Sequence, residues 1–183
     1  MSATAVRALR EVSDRHAGQI LDALLDPDEE FAVRRRIPRV FTACRSPLAV
    51  RGLLRGLRDT RFEVRYQCGR TLAMIHIKQP TLEIPSDRIY DAVLRELKVD
   101  PKIWEGRRLL DQPGTGEEEL SPLAGEVLRR TNRSLEHLFN LLSLSLSPEP
   151  LRVAYQGLLT NDDQLRGSAL EYLESVLPPR IRE

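Results

Sequence analysis

Apolar residues recur at helical spacing along most of the chain, and in three places they recur within the same phrase. From Leu53 to Ile75 an apolar helix end (Leu53, Leu54, Leu57) meets a turn opened by Asp59. Val64, Cys68, Leu72 and Ile75 then fall on one face of a second helix. This order of elements predicts a helical hairpin. It appears again from Leu24 to Phe41 and from Leu158 to Leu173. Aligning Val33-Arg34, Val64-Arg65 and Leu165-Arg166 places Ile37, Cys68 and Ala169 one turn further on, and Phe41, Leu72 and Leu173 two turns further on. The step from Val33 to Val64 is about 31 residues, within the range of stacked repeats, and the longer interval to Leu165 leaves room for two or three less regular units. The pattern predicts an all-α protein of stacked helical hairpins, forming a single domain over residues 1–183.

Other segments extend or interrupt the phrase. Val6 to Leu25 reads as one helix or two broken near Gly18, followed by a turn at Asp26 to Glu30. Pro38 either kinks the second helix of the first hairpin or delays its start. Ser46 caps the next helix, with Pro47 at the first helical position. Residues 78–86 form an irregular connection around Pro80 and Pro85, and a helix then runs from Arg88 to Leu97. Asp100-Pro101 opens a segment bearing Trp104, a candidate interface anchor or core residue, and 111–119 reads as a mobile acidic loop. Leu120 to Leu146 is one long helix or two meeting near Thr131-Asn132, ended by Pro148 and Pro150. Leu151 to Leu159 and Gln164 to Val176 make the last hairpin, and Pro178-Pro179 leaves a short tail. Glu171 and Glu174 supply the polar outer face that a terminal repeat needs.

Composition adds one asymmetry. The chain carries a formal charge of +1, but up to Lys78 it holds 15 basic residues against nine acidic ones, and the remainder is acidic. A basic half can face phosphate, anionic lipid or an acidic protein. Cys44 and Cys68 fall on apolar helix faces and imply no disulfide framework, which suits a reducing, cytoplasmic setting. The first residues lack the apolar core of a secretory signal, and no run is long and apolar enough to span a bilayer.

Sequence offers little catalytic chemistry. Gly114 and Gly116 lack the flanking strand and following lysine of a phosphate loop. His16, His76 and His137 stand apart from other ligands at metal spacing, so packed or surface roles are expected, with no metal and no cofactor. One constellation survives. Helical register sets Arg34, Arg35, Arg36 and Arg39 opposite the apolar face of the first copy, and Arg65, Tyr66 and Arg70 opposite that of the second. Arg35, Arg36, Arg39, Arg65, Tyr66 and Arg70 therefore form a candidate anion-binding or partner-binding surface, weighed against a solvated face paired with nearby carboxylates.

The turn aspartate, the apolar-Arg pair and the small residue one turn on resemble the HEAT-repeat, armadillo-like family. Asp59 with Val64-Arg65 fits closely; the first copy departs at Ile37-Pro38 and the third has Thr160 at the aspartate position. The resemblance implies a right-handed α-solenoid in which Arg34, Asp59, Arg65 and Arg166 are structural repeat positions and the second helices line a concave surface. Residues 133–179, with their SLEH, ALEYL and LPP phrases, further resemble the cytosolic HEAT region of bacterial proteins with a nucleotide-translocase or major-facilitator-type part. Together these imply a non-enzymatic scaffold for a protein partner, cytoplasmic or held at the cytosolic face of a membrane as part of a larger protein. The alternative is a nucleic-acid or polyanion binder using the basic concave patch.

Overall fold

The computed structural model describes residues 3–99, 133–160 and 162–182, and every regular element among them is helical. In order these are α1 (Ala3–Val12), α2 (Ala17–Leu25), α3 (Phe31–Arg34), a 3-10 segment (Ile37–Ala43), α4 (Pro47–Gly56), α5 (Phe62–Lys78) and α6 (Ser86–Val99). Then come α7 over 133–142, α8 (Pro148–Leu159), α9 (Asp163–Val176) and a closing helical turn, α10 (Pro179–Arg182). Trp104, the acidic segment 111–119 and the Thr131-Asn132 junction lie outside the described residues.

Local chemistry explains where the helices begin. Ser46 Oγ accepts from the Leu48 N–H at 3.2 Å, and Pro47 occupies the first turn, where its missing N–H leaves no bond unmade. Asp162 caps α9 by accepting from Gln164 N–H at 2.9 Å and Leu165 N–H at 3.2 Å. Pro148 sits in the first turn of α8, so this proline opens a helix here as well as closing the segment before it.

The helices pack in pairs. α4 lies against α5 within one hairpin; α2 lies against α4, and the 3-10 segment lies against α5. First members of neighbouring hairpins thus touch each other, as do second members. α4 is thin where it meets its neighbours: a Cβ on Gly52 would stand 2.2 Å from Leu21 Cδ2, and one on Gly56 2.5 Å from Cys68 Sγ. Val64, Cys68, Leu72 and Ile75 of α5 are fully buried, as their spacing predicts, within an apolar cluster that runs from Ala17 to Leu151.

Four expectations change. The break expected near Gly18 falls at 13–16, because Asp14 leaves the helix to accept from Cys44 Sγ and from the Arg45 N–H at 2.8 Å. The second helix of the first hairpin is not continuous: α3 stops at Arg34 and the chain tightens to 3-10 geometry around Pro38, still burying Ile37, Val40 and Phe41. Leu165, aligned with Val33 and Val64, is 56 % exposed, since no described element covers that side of the last hairpin. The tail after Pro178 folds back onto α6, where Arg180 lies over the Tyr90 ring and approaches Asp87 and Asp91.

Candidate functional site

Arg34, Arg65 and Arg166 occupy the same register and do the same job. Arg34 Nε donates to the Leu24 carbonyl at 3.0 Å, while its Nη2 pairs with Asp59 Oδ2 of the next hairpin. The other Asp59 oxygen accepts from the Arg61 N–H at 2.8 Å, so one carboxylate both shapes its own turn and neutralises the preceding unit's arginine. Arg65 Nη1 donates to the carbonyls of Asp59 and Thr60 at 3.0 and 3.1 Å, and its Nε and Nη2 hold the two oxygens of Glu96 on α6. Arg166 Nη2 donates to the Thr160 carbonyl at 3.1 Å, with Asp163 at 3.9 Å. Each guanidinium satisfies carbonyls left open where the chain turns between helices, a role that uses the planar fork of several donors.

Glu96 is the centre of a buried polar cluster. His137 of α7 is 1 % exposed with its Nε2 3.6 Å from Glu96 Oε1, and its ring stands edge-on to Phe62 at 5.7 Å and beside Tyr66 at 6.0 Å. Burial pushes the Glu96 carboxyl up, but the adjoining His137 imidazole and Arg65 guanidinium outweigh it and hold the group at about 2. Gly69 makes the approach of α7 possible: a Cβ there would meet the His137 ring at 2.8 Å and Leu141 at 3.2 Å. Sequence reasoning missed Glu96 and placed His137 no more finely than packed or surface. The acid that answers each arginine comes from a turn in one case and from the last turn of a helix in the other, so no single spacing marks it.

The surface expected from register is divided by the fold. Arg39 and Arg70 are exposed, and Arg39 Nε donates to Gln67 Oε1 at 3.1 Å. Arg35 and Arg36 are half-buried, with the Arg35 guanidinium over the Phe31 ring. Arg65 and Tyr66 do not join them. Arg65 is 6 % exposed and its charge is matched by Glu96. Tyr66 is covered by the Arg133 guanidinium, 4.8 Å above its ring, and burial together with a hydrogen bond to Glu136 pushes its hydroxyl pKa up. The reason is that α6 and α7 cover the part of α5 that carries Arg65 and Tyr66, through Glu96, Arg133 and His137, while Arg70 lies beyond that cover.

A second basic surface lies elsewhere. α4, the connection at 81–85 and α6 enclose a groove of about 690 Å³, edged by Arg51, Arg55 and Arg58 on one side and by Arg88 and Arg95 on the other. No group of three or more His, Cys, Asp or Glu side chains among the described residues could hold a metal ion, and no described helix is long and apolar enough to cross a membrane. The described parts define an all-helical protein of paired helices tied by buried arginines. No family model, curated protein or solved structure matches the chain.

Proposed function

We propose that this chain is a non-enzymatic helical-repeat scaffold, a right-handed α-solenoid of HEAT-like hairpins that binds a protein partner. The observation that carries this is the recurring arginine: Arg65 and Arg166 satisfy carbonyls of the turn before their helix, Arg34 satisfies that of Leu24 at the end of α2, and two of the three reach an acid in the following unit. Arg34 and Arg65 thereby tie their units to the next, the coupling on which repeat arrays depend. Contacts between first members and between second members of successive hairpins support the same architecture.

Perturbed ionisable groups mark functional sites when they sit in clefts. Among the described residues, the buried or turn groups whose pKa values move have structural partners or simple burial to explain them. Glu96 answers Arg65, Asp14 ties the first turn to Cys44 and Arg45, and burial pushes both thiols up. That distribution favours a scaffold over a catalyst. The likeness of residues 133–179 to cytosolic HEAT regions supports a place beside a membrane as part of a larger protein.

Gel filtration of a native lysate, followed by immunoblotting of soluble and membrane fractions, tests this reading. Elution of the polypeptide well above its own mass is expected, in either fraction. Elution as a free monomer in both would overturn it.

A further inference from the structure

We propose that the groove between α4 and α6 binds an acidic peptide segment carrying apolar anchor side chains. The inference rests on the scaffold reading and names the chemistry of the partner. Arg51, Arg55 and Arg58 stand four and then three residues apart, which sets them in one stripe along and just beyond α4. Arg88 and Arg95, two helical turns apart on α6, form the facing row. Glu83 is the one carboxylate among the residues that line the groove.

The charge there is unanswered. The guanidiniums of Arg51, Arg55, Arg58 and Arg88 make no hydrogen bond or ion pair among the described residues, and Arg95 spends one donor on the Leu57 carbonyl at 3.0 Å. Arg34 and Arg65, by contrast, are each matched to a carboxylate. Five like charges set around one depression repel each other, and a ligand that brings carboxylates relieves this while gaining bidentate hydrogen bonds.

Between the two rows the floor is aliphatic. Val50, Leu57 and Ala92 are buried beneath it, and Leu54 and Leu82 are half-buried at its surface. Such a floor takes leucine-like anchors of a peptide, the arrangement by which grooves read amphipathic segments. It lacks what single-stranded nucleic acid uses, since no aromatic side chain lines it for base stacking. A flat bilayer surface does not enter a recess of this kind.

Fluorescence anisotropy with a labelled peptide of Glu-Glu-Leu-Leu repeats tests the proposal on the full chain. Saturable binding is expected, at least tenfold weaker (about 1.4 kcal/mol) for Arg51→Glu with Arg88→Glu, and weaker by a similar factor when serine replaces leucine in the probe. Circular dichroism and thermal melts confirm that the variants fold, and Arg51→Gln with Arg88→Gln gives an intermediate loss should the reversal unfold the chain. Binding below detection at about 100 μM peptide would overturn the proposal. So would binding lost through Arg39→Glu with Arg70→Glu but indifferent to Arg51 and Arg88, or binding of oligothymidylate or phosphatidylserine vesicles in preference to the peptide. Each of these removes the groove and leaves the lysate test of the scaffold untouched.

Discussion

Arg65 holds both carboxylate oxygens of Glu96, at 2.5 and 3.1 Å, from 31 residues away in sequence, and each side chain is less than a tenth exposed. A buried pair of this kind adds less than its contact suggests, because both ions were desolvated to form it. Breaking it is another matter. Glu96→Gln leaves a guanidinium buried without its counter-charge and is expected to cost about 3–5 kcal/mol, read from the urea midpoint. Replacing both partners together, Arg65→Met with Glu96→Leu, should recover most of that loss. A double variant as unstable as the single one would show that Arg65 matters through the carbonyls of Asp59 and Thr60 instead.

The same pair sets an acid limit on stability. Glu96 titrates at about 2 in the fold against an ordinary value of 4.5. A depressed carboxyl contributes its full stabilisation above pH 4.5 and loses it as pH falls from there toward about 2. Thermal melts of the wild type should drop across that window, and in Glu96→Gln the drop should shrink. An unchanged acid slope in the variant would assign the effect to other carboxylates.

Two ion pairs of the same residue types should differ chiefly through burial. Arg34 and Asp59 are 10 % and 7 % exposed at their side chains, while Arg180 and Asp87 are 41 % and 92 % exposed. Double-mutant cycles with alanine are expected to give a coupling of roughly 1–3 kcal/mol for the first and under about 0.5 kcal/mol for the second. Equal couplings would contradict the structural role assigned to the Arg34 register.

Gly69 predicts an overpacking effect with a named partner. A methyl group there would press on the His137 ring at 2.8 Å, so Gly69→Ala should destabilise by about 1–3 kcal/mol despite alanine's better helix propensity. In a His137→Ala background the same change should be nearly neutral or stabilising. A penalty that persists there would point to Leu141 as the obstructing group.

The two cysteines should be inert in the folded protein. Burial and the hydrogen bond to Asp14 push the Cys44 thiol up to about 11, and complete burial raises Cys68 as well. A thiolate-selective disulfide reagent at pH 8 should therefore react slowly with native protein and rapidly with both thiols in denaturant. Fast labelling of native Cys44 would mean that the Asp14 tie between the first turn and the start of α4 opens readily.

Several features were legible because they are local. Backbone hydrogen bonds within a helix join residues one turn apart, so the 3.6-residue spacing of Val64, Cys68, Leu72 and Ile75 was enough to place α5 and its apolar face. The Ser46-Pro47 start could be read from two adjacent residues. Arg34, Arg65 and Arg166 were identifiable as a recurring position, with Asp59 beside them, whereas Glu96, the partner of Arg65, was not. An early break was legible near Gly18, but its place at 13–16 was not, because it is set by Asp14 meeting Cys44 and Arg45, residues some thirty positions away.

By itself, then, the sequence determined that the described parts of the chain are helical, and it placed the start of α4 at Ser46-Pro47 and the apolar face of α5. Tertiary structure alone decided which polar faces meet water. Register put Arg65, Tyr66 and Arg70 opposite the apolar stripe of α5, yet Glu96 of α6 and Arg133 and His137 of α7 cover Arg65 and Tyr66, while Arg70 stays exposed. It also brought Arg51 and Arg55 of α4 opposite Arg88 of α6. Helical periodicity orders side chains around one axis, and the distance between two axes follows only from how their side chains pack.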